Sequence, residues 1–251
     1  MFEAEIPVGT SDGIMTTFVA HPEGEGPFPV AVLFMDGVGY REQVKDNARR
    51  FAAESYCVVP PGLFYRSGEK LSFDFDRMAD PSYRERLMSV VASLTPERAS
   101  TDIQAVFEAI GHDPAAASGP KLSVGYCMGA RLALHAAAAQ VDEFVATAGM
   151  HPGALVTDQS DSPHLELADV KAEVYFAFAE NDQSATAENV DRFRDELKRH
   201  GVKGVVDRLS GTSHGFAMAD LPDYDRAAAE RHFQRTLELW RRKLTHEPVS
   251  A

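Results

Sequence analysis

The sequence predicts an α/β protein with a mostly parallel central sheet and helices on both faces. Three observations carry that expectation. Short apolar runs alternate with amphipathic helical stretches through most of the chain. The run 29–35 (PVAVLFM) is apolar throughout, as a strand covered on both faces must be. Reactive residues also recur just past strand ends, where sheets of this kind gather their functional groups.

The elements follow in order. Residues 2–8 (FEAEIPV) and 14–20 (IMTTFVA) read as strands joined by the Asp-Gly turn signal of Thr10-Ser11-Asp12-Gly13. The buried strand 29–35 comes next, then helical spacing over 43–55, with Val44, Ala48, Phe51 and Ala52 on one face. A short strand over 56–59 stops at Pro60-Pro61. Residues 61–95 mix aromatic side chains with charges, and one helix begins near Pro81. An excursion of this length between a strand and the next regular helix is expected to cover a site. Thr95 and Pro96 supply an N-cap and a first-turn proline for a helix that ends near Gly111. Alternation is then regular: strand 121–126, helix 128–139, strand 143–149, strand 173–179, helix 186–201, strand 203–210 and a long helix over 222–244. No repeat, low-complexity tract or linker interrupts the pattern, so a single domain over 1–251 is expected.

Composition narrows the function. Hydrophobic residues are 44% and charged residues 25% of 251, an ordinary globular balance. The net charge of −13 argues against nucleic acid, whose phosphates demand clustered Lys and Arg. The N-terminal segment lacks the basic start and apolar core of a secretory signal. The most apolar run, 29–35, is far shorter than the roughly 20 residues that span a bilayer, so no membrane partner is expected. Two cysteines, Cys57 and Cys127, stand in unrelated contexts, which favours a reducing cytoplasm. Oligomeric state is not encoded in any separable surface pattern.

Three reactive residues follow strands: Cys127 after KLSVGY, Asp182 after EVYFAFAEN, and His214 after the last strand. Their order is nucleophile, acid, histidine, which is that of α/β-hydrolases. Gly125-x-Cys127-x-Gly129 has the spacing of the nucleophile elbow in that fold, with Cys where Ser is usual. The spacing has a steric cause. The elbow residue is strained between strand and helix, so residues two positions away must be small to let the two pass closely. The same turn aims the thiol at the positive end of a helix, which favours thiolate. His214 is then the base and Asp182 its orienter. Taken singly, each residue has an ordinary structural reading; a joint coincidence in this order is far less expected. Cys57 lies within an apolar strand and reads as a packed core thiol. His151, in Met150-His151-Pro152-Gly153, also follows a strand and is a candidate to line the site. No HxxxH or CxxC spacing suggests a metal.

The elbow Gly125-Tyr126-Cys127-Met128-Gly129, the later Asp182 and the segment Ser213-His214-Gly215-Phe216 together resemble the dienelactone hydrolase family of α/β-hydrolases, over nearly the whole chain. The resemblance implies hydrolysis of a small-molecule ester or lactone through an acyl-enzyme on Cys127, with no cofactor. It also implies an oxyanion hole from the backbone N–H groups of Gly37 and Met128. Two positions depart from the family. Asp36 stands where the family places a Glu against the resting thiol. Met218 stands four residues after the histidine, where dienelactone enzymes use an arginine to hold the substrate carboxylate. A thioesterase or acyl transferase would use the same acyl-enzyme. A redox-responsive protein would instead oxidise Cys127, although no second Cys lies at a matching strand end to resolve it.

Overall fold

Thr10 to Gly13 reverses the chain, so that β1 (Phe2–Thr10) and β2 (Gly13–His21) pair antiparallel in register from Phe2↔His21 to Thr10↔Gly13. The computed structural model describes residues 1–160 and 162–245 and divides into two units, Met1–Lys121 and Leu122–Ala251.

In the first unit the strand order is β1-β2-β4-β3, with β3 (Val30–Phe34) and β4 (Cys57–Val59) parallel and β2 antiparallel to β4. All five residues of β3 are buried, as its unbroken apolar run requires. Helix α1 (Glu42–Ala52) buries the expected face of Val44, Ala48, Phe51 and Ala52. The excursion after β4 holds a 3-10 turn, Phe75–Arg77, and α2 (Pro81–Ser93), whose N-cap Asp80 accepts bonds from the Ser82 and Tyr83 amides. Helix α3 (Pro96–Ile110) starts on the Thr95 cap and stops at Gly111, as the sequence predicts. The excursion is pinned by charge. Arg66 donates through both terminal nitrogens to the fully buried Asp102 of α3, at 2.8 and 2.9 Å, and through Nε to Asp12 of the hairpin at 2.6 Å.

The second unit orders its strands β5-β6-β7-β8: β5 (Lys121–Tyr126, begun by the last residue of the first unit), β6 (Phe144–Met150), β7 (Glu173–Asn181) and β8 (Gly204–Ser213). The pairs β6–β7 and β7–β8 are parallel. Helices α4 (Met128–Ala139), α5 (Ala187–His200) and α6 (Arg226–Thr245) alternate with them. The boundaries expected in this unit hold or shift by one or two residues, and two shift further. β8 runs on to Ser213, past the bulge opposite Ala179–Asn181, and so delivers His214 directly from a strand end. α6 begins at Arg226 instead of 222, because Asp225 accepts the Ala228 amide at 2.9 Å and caps the helix there. A 3-10 turn at Pro163–Ala168, between β6 and β7, has no counterpart in the sequence reading.

Candidate active site

The second unit brings Cys127, Asp182 and His214 together. β5 ends at Tyr126 and α4 begins at Met128, leaving Cys127 as the single residue of the turn, with φ 53° and ψ −115°. That positive φ is strained for a side chain with a Cβ. It persists because neighbours fix it: the Cys127 amide donates to Met150 O at 2.9 Å, and the Cys127 carbonyl accepts from the Ala130 amide at 3.1 Å. Gly125 is required by contact. A Cβ there would lie 2.1 Å from the Gly129 carbonyl oxygen, which no side chain tolerates. Met128 opens α4, where a backbone N–H has no acceptor within the helix.

His214 Nε2 is 2.9 Å from Cys127 Sγ, and His214 Nδ1 is 2.6 Å from Asp182 Oδ2. The other carboxylate oxygen, Asp182 Oδ1, accepts from the Ser184 amide at 2.8 Å and from the Ser184 hydroxyl at 2.7 Å. Asp182 is thus fixed on both oxygens, with its side chain 4% exposed against 36% for His214. Ser184 was not singled out by sequence reasoning. Its signal was there to read: Ser two positions after Asp is the spacing of a side-chain turn.

The electrostatics follow from the contacts. Burial alone would lower the His214 pKa, but the hydrogen bonds to Asp182 and Cys127 override it and raise it to about 10. Burial pushes Asp182 up, and the His214 and Ser184 bonds more than offset this, so its carboxyl sits below the usual range. At neutral pH His214 carries its proton beside the sulfur.

His151 is fully buried with φ 36°, and its ring packs edge-on against those of His214 and Phe216, with centroids 5.2 Å away in each case. It packs against the His214 imidazole from the side. Gly153, two residues on, also borders the pair and was not anticipated; nothing in the sequence marks it beyond its place after a strand. Met218 is buried.

The other expected residues belong to the first unit. Asp36 is buried, with both oxygens on Arg41 at 2.6 and 2.9 Å and Oδ1 also accepting the Val38 amide at 3.1 Å. Gly37 follows it past the end of β3. Cys57 is buried in β4, where burial pushes its thiol up to about 12. Phe64 and Phe73 are buried and Tyr65 is tied to Thr10 and Asp102. Phe64 and Phe73 fill the core beneath the excursion, Tyr65 is half-buried, and Phe75 is exposed. Among the described residues no group of three or more His, Cys, Asp or Glu is placed to hold a metal.

Comparison with known proteins agrees with this architecture. The family profile described as "Dienelactone hydrolase family" matches residues 15–244. A protein of Escherichia coli (strain K12) named "Putative carboxymethylenebutenolidase" is 27% identical over 228 residues, covering 89% of this chain and 81% of its own. A protein of the same name from Azospirillum brasilense is 26% identical over 249 residues, covering 97% of this chain and 100% of its own. Among solved structures, a "Putative Dienelactone Hydrolase" from Klebsiella pneumoniae superposes with a TM-score of 0.84 at 20% identity, over 96% of this chain and 98% of its own. A dienelactone hydrolase-like promiscuous phosphotriesterase from metagenomic libraries reaches 0.74 at 20% identity, with the same coverage. The shared fold is that of the α/β-hydrolases.

Proposed function

The chain belongs to the dienelactone hydrolase family, and from that premise we propose that this hydrolase cleaves carboxylic esters or lactones through an acyl-enzyme on Cys127. The observation that carries the reading is the 2.9 Å approach of His214 Nε2 to Cys127 Sγ, with Asp182 2.6 Å from the other ring nitrogen.

The steps follow from proton positions. The thiolate sulfur bonds the acyl carbon, and the carbonyl oxygen takes the negative charge. Backbone N–H groups of Met128 and Gly37 are the proposed donors to that oxygen. As the C–O bond to the leaving group breaks, the proton on His214 Nε2 passes to the departing oxygen. Water then gives one proton to Nε2 and its hydroxyl to the acyl carbon, the C–S bond breaks, and the carboxylic acid leaves. Asp182, fixed by Ser184, holds the ring for both transfers. Asp36 is the proposed neighbour of the resting thiol, and its charge is already balanced by Arg41.

The favoured substrates are neutral. The position that would carry a carboxylate-binding arginine is the apolar, buried Met218, and Arg66 is committed to Asp102 and Asp12. We read the whole chain as one catalytic domain, since the family match runs unbroken through both units, with 61–95 as its site-covering excursion. A cytoplasmic setting is supported by two free cysteines. Among the described residues no helix is long and apolar enough to cross a membrane.

The test is a burst experiment with 4-nitrophenyl acetate. A rapid release of 4-nitrophenol equal to the enzyme concentration, lost in Cys127→Ala, is expected. Steady turnover without a burst in that variant would remove Cys127 from the chemistry.

A further inference from the structure

The loop after β6 brings a glycine against the reacting pair. A Cβ placed on Gly153 would lie 3.4 Å from His214 Cε1, 3.6 Å from Ser184 Oγ and 3.9 Å from Cys127 Sγ. These are ordinary van der Waals separations, and Gly153 is absent from the left-handed region that His151 and Ala154 occupy on either side of it. Alanine therefore fits both the backbone and the space. Glycine is not demanded by folding at this position; its effect is to leave out a side chain that would touch both the thiol and the imidazole. Gly153 and Cys127 are both half-buried, and the His214 side chain is 36% exposed.

Which part of a substrate uses the space follows from the atoms that border it. His214 Cε1 is bonded to Nε2, the atom that hands a proton to the leaving oxygen and later takes one from water. A group beside both Cε1 and Sγ therefore flanks the line between Nε2 and sulfur, along which the leaving oxygen departs and water arrives. We infer that Gly153 is a specificity-determining residue that makes room for the alcohol portion of the substrate, so that esters of bulky or aromatic alcohols are accepted. This rests on the acyl-enzyme reading above.

Two ester series test it in wild type, Gly153→Ala and Gly153→Val. One fixes an acetyl group and varies the alcohol from methyl to phenyl to 1-naphthyl; the other fixes phenol and lengthens the acyl chain from acetyl to hexanoyl. Gly153→Ala is expected to lower kcat/KM for 1-naphthyl acetate about tenfold or more relative to methyl acetate, Gly153→Val further, with the acyl series shifted evenly. Selective loss in the acyl series, or one uniform loss across both, would overturn the inference. Alkylation of Cys127 by iodoacetamide and by its bulkier N-(1-naphthyl) analogue, followed by mass spectrometry, provides a readout that needs no turnover. Gly153→Ala should slow the bulky reagent while leaving iodoacetamide unchanged. If wild type hydrolyses no ester, the acyl-enzyme reading is what fails, and the ratio of the two alkylation rates decides Gly153 by itself. Equal slowing of both reagents, or of neither, sinks the proposal.

Discussion

Cys127 and Cys57 differ in surroundings, and the difference sets their reactivity. The sulfur of one lies 2.9 Å from His214 Nε2 on a half-buried turn; the other lies in a fully buried strand that pushes its thiol to about 12. Iodoacetamide at pH 7 should therefore modify Cys127 first and in step with inactivation, while Cys57→Ala keeps turnover; modification of Cys57 in parallel with inactivation would contradict this. The raised pKa of His214 makes a second prediction. The protonated imidazole is the form that protonates the leaving oxygen, so kcat/KM should hold through neutral pH and fall as pH rises through about 10. Asp182→Asn removes a hydrogen bond and a charge that raise that value, so the alkaline limb should move to lower pH, along with a loss of several orders of magnitude in turnover by analogy with other triads. A profile whose alkaline limb stays in place would show that Asp182 does not set the His214 charge. Met218 supports a third expectation. Without the charged bond an arginine would give, worth about 1.5–3 kcal/mol, neutral aryl esters should be preferred over a dienelactone carboxylate by roughly ten- to a hundredfold in kcat/KM. The reverse preference would mean that a cation elsewhere supplies the clamp.

The β5–α4 turn is strained because strand and helix must meet within one residue. Gly125→Ala forces a Cβ to within 2.1 Å of the Gly129 carbonyl, so either the helix start or the strand end must shift. Overpacking of this kind typically costs about 1–3 kcal/mol, and here it also displaces Cys127 from His214. A lower denaturant midpoint together with slower Cys127 alkylation is expected; a midpoint loss with unchanged alkylation would mean the turn adapts without moving the thiol. In the first unit the excursion depends on the Arg66–Asp102 pair, whose carboxylate is fully buried. Asp102→Ala leaves that guanidinium end without its buried partner, a change that typically costs about 3–5 kcal/mol, reduced here because Asp12 still binds Nε. Urea unfolding measures it, and a loss below about 1 kcal/mol would show the pair to be incidental.

Across the whole molecule the perturbed groups bound a pH window of stability. Hydrogen bonds from Lys45 and Lys70 hold Glu5 down at about 2 from its ordinary 4.5, so its contribution is complete above 4.5 and lost as pH falls toward about 2. Asp182 acts in the same direction. His214, raised from 6.5 to about 10, contributes fully below 6.5 and loses that contribution as pH rises through about 10. The urea midpoint should therefore be highest between these limits and decline on both sides, with the alkaline decline reduced in His214→Gln; an equal alkaline decline in that variant would assign it to other groups. How much of this was legible in the sequence depends on the range of the cause. Strand and helix order, the Thr95 cap and the elbow glycines are set by local periodicity and sterics, and the residues state them directly. Neighbours in the chain also determined that Cys127, Asp182 and His214 each follow a strand, in one order. Packing alone decided the rest. Arg66 on Asp102 is charge satisfied by a group 36 residues away whose position only the folded chain defines. Phe64 and Phe73 of the excursion became core because burial is set by what lies above and below them, which no window of sequence contains. Gly153 is the extreme case: its role is a missing side chain beside two atoms, Cys127 Sγ and His214 Cε1, that lie far from it in sequence and meet it only in space.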